Sequence, residues 1–407
     1  MDPRQQRGIV IAAMAKLIKV NGLWVVPSQS KRMTNYFVNL EQGTCTCKDF
    51  EETQQDCKHM HAARIVTQRE ASQQAGLQGT EVMQIDTKKK TYPQNWRTYN
   101  KAQTEEKERF RVLLHDLCRN LKHAKVKPGR PRTPLSDVVF AAAYKVYSTV
   151  STRRFCTDLK DAEKNGYVSK AIHYNSVCAY LEWPDLTPVL KRLIGVSALP
   201  LRDVESDFAV DSTGFATSRF VRWFDERFNV ERSGHDWVKV HVMSGVKTNV
   251  VTAIEIRGRS AGDAPLFGPL VRTTRKNFNI KAISADKAYL SEDNIEIAFE
   301  AGAEPFIPFK VDSTEHGDGL WDKMFHYYQT RRDEFLQHYH KRSNVEATFN
   351  MIKAKFRDHV RSRSDTAMKN EVLGKVLCHN ICCVIHSHCD LGIEPVFWPG
   401  EKPQQAG

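Results

Sequence analysis

The pattern of apolar and polar positions divides the chain into stretches of different period. From residue 135 to 195 apolar residues recur every three or four positions, in "LSDVVFAAAYKVYST", "STRRFCTDLKDAEKNG", "HYNSVCAYLE" and "DLTPVLKRLIG". Each predicts a short helix, and Asn165-Gly166 supplies a turn after the second. After "SALPLRD" the period shortens to two. "DFAVDSTGFA" (207–216), "WVKVHVMSGV" (237–246) and "VVTAIEIRG" (250–258) read as strands, the last two as a hairpin. A helix over 261–275, a strand in "IKAISADKAYLS" (280–291), a helix over 291–301, the strand "EPFIPFK" and one long helix from about 325 to 357 follow. Three strands, helix, strand, helix, strand, helix predict an α/β fold: a mixed five-stranded sheet flanked by helices.

Within the long helix, "YHKRSNVEATFNMIK" (339–353) carries Tyr339, Arg342, Glu346 and Lys353. At about 100° per residue these four fall within about 60° of one another, with Val345, Phe349 and Ile352 off to the side. A solvated helix face often carries charges in this way, so the segment alone does not specify a site.

Charge sharpens the picture. The 407-residue chain has a formal net charge of +12, which points to a polyanionic partner. Between Thr87 and Thr133 stand 14 Lys or Arg against 4 Asp or Glu. "TKKKTYPQNWR" and "KVKPGRPRTP" there flank an amphipathic stretch at 102–121, which reads as a basic linker or a phosphate-tracking arm. The Gly-Arg-Pro core of "PGRPR" makes Arg130 and Arg132 candidates for a narrow minor groove. The short helices of 134–200, with a polar third one, fit a helical DNA-binding region. No apolar run is long enough to span a bilayer, and the first residues lack a signal peptide, so an intracellular protein without membrane attachment is expected.

Ten cysteines in such a chain read as metal ligands or buried thiols. "YFVNLEQGTCTCKDFEETQQDCKHMHAARIV" (36–66) sets Cys45-x-Cys47 nine residues before Cys57-x-His59 on a strand–turn–helix frame. Two tight pairs of soft ligands can close a tetrahedral structural Zn²⁺ site, with His61 as an alternative to His59. The CxC…CxH arrangement resembles the SWIM zinc finger, whose relatives bind DNA or proteins. The later "LCHNICCVIHSHCD" (377–390) is read as an apolar helix with core cysteines.

Asp211 and Asp286 each interrupt an apolar strand and are followed by small or polar residues, placing them at a carboxyl edge. With Glu346 on a facing helix they would form a carboxylate triad for two Mg²⁺ or Mn²⁺ ions. The order of elements resembles the ribonuclease-H-like core of DDE transposases. Tyr339, Arg342, Glu346 and Lys353 match the Y-x2-R-x3-E-x6-K signature of bacterial insertion-sequence transposases. "AVDSTGF" and "SADKAYLS" resemble that family's two aspartate motifs, and "HDWVKVHV" its second strand.

The resemblance, over about residues 130–390, implies that Asp211, Asp286 and Glu346 hold the metals. It implies that Tyr339, Arg342 and Lys353 grip phosphates near an element's end, joined by Lys239 and His241. It further implies cleavage at terminal inverted repeats and joining of the freed 3′-OH to target DNA, with double-stranded DNA as partner. A homodimer in the synaptic complex and a cytoplasmic, nucleoid-associated place in a prokaryote also follow from it. A nuclease on the same core, or a DNA-binding regulator with a degenerate core, are the alternatives. The expected organisation is a zinc module (1–75), a basic arm (76–133), a helical DNA-binding region (134–200) and a ribonuclease-H-like catalytic domain (201–395). Asp286 and Glu346 stand 60 residues apart, too close for the large strand-rich insertion of some relatives. Trp321, in "GDGLWDKMF", is a candidate for stacking on an extruded base.

Overall fold

The computed structural model describes residues 2–15, 17–28, 34–74, 95–122, 132–217, 237–257 and 262–398. The chain divides into two compact units, Met1–Tyr92 and Pro93–Gly407.

The first unit opens with α1 (Pro3–Met14), started by the Asp2 carboxylate accepting from the Arg4 N–H and by a proline in the first turn. Four short strands follow, β1 (Ile18–Val20), β2 (Leu23–Pro27), β3 (Asn35–Asn39) and β4 (Thr44–Cys45), paired antiparallel in chain order. Then come α2 (Lys48–Thr53) and α3 (Lys58–Gln74). Trp24, Val26, Val38 and Met60 close a small core with Ile11. Helices α1 and α3 approach so closely at Gly8 that a Cβ there would lie 2.6 Å from the Cβ of His61. Only glycine permits that contact.

The second unit begins with α4 (Trp96–Thr104), α5 (Glu106–Cys118), α6 (Leu135–Ser148), α7 (Thr152–Lys164), α8 (Tyr174–Leu181) and α9 (Leu186–Ser197). The segment expected as a basic arm is thus partly folded. Phe110, Leu114 and Leu117 share one face of α5 and are fully buried, so apolar spacing overrides net charge there. Next come β5 (Asp207–Ala216), β6 (Trp237–Gly245), β7 (Val251–Arg257), α10 (Ala264–Arg275), β8 (Ala282–Ala285), α11 (Glu292–Glu300) and β9 (Glu304–Phe306). The sheet order is β7-β6-β5-β8-β9, with β5–β6 and β6–β7 antiparallel and β5–β8 and β8–β9 parallel. This is the mixed five-stranded sheet that the sequence predicted.

The long helix expected over 325–357 is broken into α12 (Leu320–Thr330), α13 (Arg332–Tyr339) and α14 (Ser343–Phe356), with a 3₁₀ turn over His340–Arg342. The Ser284 hydroxyl donates to the His338 carbonyl at 2.9 Å, drawing on the acceptor that a continuous helix would offer to the Arg342 N–H. Tyr339 and Arg342 therefore precede the helix that carries Glu346 and Lys353.

The last helix, α15 (Asp365–Leu391), is 27 residues long and buried along most of its length. Its Asn380 accepts from the Val251 N–H at 2.8 Å and donates to the carbonyls of Val251 and Ile194, tying β7 to the end of α9. Cys378, Cys382 and Cys383 are core residues here, as expected. One hydrophobic core runs from Ala102 to Phe397, so helices α6–α9 share their interior with the sheet.

Candidate active site and metal centre

Asp211 lies in the middle of β5, not at the strand end that the sequence suggested, because the antiparallel pairing with β6 continues to Ala216. The parallel partner β8 is shorter, and the last matched pair is Val210 with Ala285. The next residues are Asp211 and Asp286, so both acids emerge side by side where the parallel pair stops. Asp286 is held by a tight turn, its carboxylate accepting from the Lys287 N–H at 2.6 Å and its carbonyl from the Tyr289 N–H at 2.9 Å.

Strand alternation assigns the two faces of β5. Asp211, Thr213 and Phe215 share the face toward α14 and α15, where the Lys353 ammonium donates to the Thr213 hydroxyl at 2.7 Å and Lys375 lies 5.2 Å from the Phe215 ring. Ser212 pairs in register with His241 on the other face. There His241 is fully buried, and its Nδ1 lies 2.9 Å from the Tyr289 hydroxyl. This corrects the DNA contact expected of His241: its ring backs the acids from inside the core. Lys239, also expected at DNA, is ion-paired with Asp263.

Glu346 comes from α14 and is exposed, on the same side of the sheet as Asp211. The Arg342 guanidinium joins the two, donating to Asp211 Oδ2 at 2.6 Å and to Glu346 Oε1 at 2.8 Å. Its cationic carbon lies 5.9 Å from the centre of the Tyr339 ring. Burial pushes the Asp211 carboxyl above its ordinary range, and the charges of Asp286 and Glu346 push the same way, against the Ser212 N–H and Arg342. Burial likewise lowers the Lys353 ammonium, with Asp358 opposing.

Three carboxylates with one resident cation between two of them form a hard-oxygen donor set suited to divalent ions such as Mg²⁺ or Mn²⁺. Among the described residues, the only metal-ligand cluster with donor atoms all within 4.8 Å is in the first unit, so the three acids stand more widely spaced. Tyr289, Thr213 and Asp263 were not singled out in the sequence. Tyr289 stands three residues after Asp286 in the same motif, which was the available signal.

That closed cluster is Cys45, Cys47, Cys57 and His59, all buried. The Cys45 and Cys57 sulfurs lie 3.9 and 3.8 Å from His59 Nδ1. Ligands at usual Zn–S and Zn–N lengths stand about 3.5 Å apart across a tetrahedron, so the set fits Zn²⁺ with Nδ1 as the nitrogen ligand. His59, not His61, completes it. Cys45 ends β4, Cys47 caps α2 with its sulfur accepting from the Phe50 N–H, and Cys57 and His59 open α3. Hydrogen bonding between the two thiols depresses Cys57 and raises Cys45. All four positions are filled by protein, so the site is structural.

The other expected contacts are scattered. Arg132 is exposed just before α6, and Arg130 lies outside the described residues. Trp321 is 8% exposed, donates its indole N–H to the Thr314 carbonyl and packs edge-on against Phe309. That corrects the base-stacking candidate, since the ring is committed to its own loop. Among the described residues no helix is long and apolar enough to cross a membrane.

A family model for the transposase DDE domain matches residues 202–381, and one for the SWIM zinc finger matches residues 36–63. The first span covers the sheet, all three acids and most of α15. The second contains all four zinc ligands. No curated protein matches the chain.

Proposed function

Because the chain carries a transposase DDE domain together with a SWIM zinc finger, we propose that it is a DNA transposase acting at the terminal inverted repeats of its own element. The observation that carries this is the convergence of Asp211 and Asp286, adjacent across β5 and β8, with Glu346 linked to Asp211 through Arg342.

Divalent cations held by these carboxylates, when bound, activate an attacking oxygen and stabilise a leaving one. A water oxygen bonds to phosphorus at the element's end, the P–O3′ bond breaks, and the departing 3′ oxygen takes up a proton. That 3′-OH then attacks a target phosphodiester, losing its proton as the target's own 3′ oxygen leaves. Arg342, whose two terminal nitrogens here hold Asp211 and Glu346, would turn to a phosphate once cations take those carboxylates, and Lys353 adds a point charge over Thr213. Tyr339 orients Arg342 and forms no covalent link to DNA. Synapsis of two ends calls for at least a dimer in the complex.

The test is cleavage and joining of DNA that carries the inverted repeats flanking this reading frame. Wild-type protein with Mg²⁺ nicks and joins it, whereas Asp211→Asn binds it and does neither. Full strand transfer by that variant overturns the assignment.

A further inference from the structure

Beyond the far end of α14 lies a cavity of about 470 Å³ that the carboxylate site does not use. Six basic side chains line it: Lys145, Arg153, Arg357, Arg361, Arg363 and Lys375. Glu182 and Glu371 also line it, but the Glu371 carboxylate is taken up by the Arg361 and Ser362 N–H groups and the Ser362 hydroxyl. Thr152 and Tyr174, the first residues of α7 and α8, reach the same cavity, so two helix N-termini add to its positive potential.

Lys145 is the decisive residue. Its side chain is only 9% exposed and lines the cavity, and its ammonium makes no hydrogen bond or ion pair within 4 Å among the described residues; Glu371 attracts it, while Arg361 and Arg357 repel it. An ammonium on a largely buried side chain, with no hydrogen bond of its own, is stabilised when an anion meets it. Arg357 and Arg361 both spend one donor on the Thr149 carbonyl, leaving most of their donors available. Arg357 also holds φ at +75°, a conformation that side chains rarely adopt, while Lys375 grips its carbonyl at 3.1 Å.

We infer that this cavity binds phosphodiester groups of a DNA strand, as a second anchor about 15 Å beyond Glu346 along the axis of α14. The basic lining needs a polyanion, and the identity of that polyanion as DNA rests on the function proposed above. A strand gripped here and cut at the acids would be held at two points, which fixes its direction across the site.

The test uses the full chain and three variants. Lys145→Met removes the buried charge at nearly constant shape, and Arg363→Ala removes an exposed guanidinium that has no partner among the described residues. Lys281→Ala, at the amino end of β8 opposite the acids, is the control. Fluorescence anisotropy with a duplex of about 40 base pairs, from roughly 50 to 200 mM salt, gives affinity and salt slope. The two cavity variants together should weaken binding about tenfold and reduce the log–log slope by one to two, with the control unchanged. Wild-type affinity and slope in Lys145→Met and Arg363→Ala alike would overturn the inference. A thermal shift with inorganic phosphate separates the sources. Stabilisation of wild type but not Lys145→Met, with duplex affinity unaltered, assigns the cavity to free phosphate and also overturns it. If the wild-type chain binds no duplex, the proposed function itself falls; if it binds and cleaves while the variants match it, only the cavity does.

Discussion

The zinc cluster and the candidate carboxylate site of this chain are built in opposite ways. The zinc cluster draws four ligands from 15 consecutive residues, Cys45 to His59, and its donor atoms already lie within 4.8 Å of one another. The carboxylate site draws Asp211, Asp286 and Glu346 from three elements far apart in the chain, and Arg342 occupies the space between two of them. A closed set of soft ligands made by local turns stabilises a fold. An open set of hard ligands made by tertiary structure leaves room for a substrate's phosphate.

The largest effect expected from this contrast is on the zinc side. Structural zinc contributes on the order of 10 kcal/mol to the folding of small modules, so Cys57→Ser should release about one zinc per chain and abolish the thermal transition of the first unit. The second unit should melt as before. Metal analysis with calorimetry reads both, and an unchanged zinc content contradicts the site.

Next in size, Asp286→Asn or Glu346→Gln should lower single-turnover cleavage about 10³-fold, roughly 4 kcal/mol of transition-state stabilisation. Zinc content and duplex binding should be retained. Arg342→Gln is expected to act on stability as well as activity. Removing the bridging cation leaves Asp211 and Glu346 uncompensated, a loss of about 1 kcal/mol because Glu346 is half exposed to water. Added Mg²⁺ should then stabilise this variant more than it does wild type, measured as a shift in melting temperature. Equal shifts would separate Arg342 from the metal site.

A pH-dependent effect concerns Lys375, which donates to the carbonyls of Arg357 and His359. Burial draws its ammonium down to about 8, with Glu371 and Asp358 opposing and Arg357 assisting. A lysine depressed in the folded state penalises folding fully below that value, and the penalty fades as pH rises toward the ordinary lysine range. The stability of wild type relative to Lys375→Met should therefore rise between about pH 8 and 10. A gap that stays constant or narrows over that window contradicts the assignment.

Much of this was legible in the sequence because the signals are local. Alternation in "WVKVHVMSGV" marks β6, and the spacing of Cys45, Cys47 and Cys57 marks the zinc cluster, leaving only the choice of His59 over His61 to tertiary structure. The acids were legible as a triad, but not the pairing that sets Asp211 beside Asp286. Their adjacency depends on β8 ending one residue before Asp286 while β5 continues, and only sheet pairing decides that. The break at 340–342 was hidden for the same reason, since Ser284 reaches His338 from a strand 54 residues away. His241 sits in an alternating strand whose polar face looked solvated, yet Tyr289 and Asp263 cover it. Within the basic segment the amphipathic stretch at 102–121 was legible, and Phe110, Leu114 and Leu117 form its buried face.

The most direct test of the central claim replaces Asp211 by a soft ligand. Asp211→Cys, assayed for single-turnover cleavage of end DNA, should be inactive with Mg²⁺ and recover activity with Mn²⁺, because a thiolate accepts the softer ion more readily than Mg²⁺. Cleavage at the wild-type rate with Mg²⁺, or no recovery with Mn²⁺, would contradict Asp211 as a metal ligand.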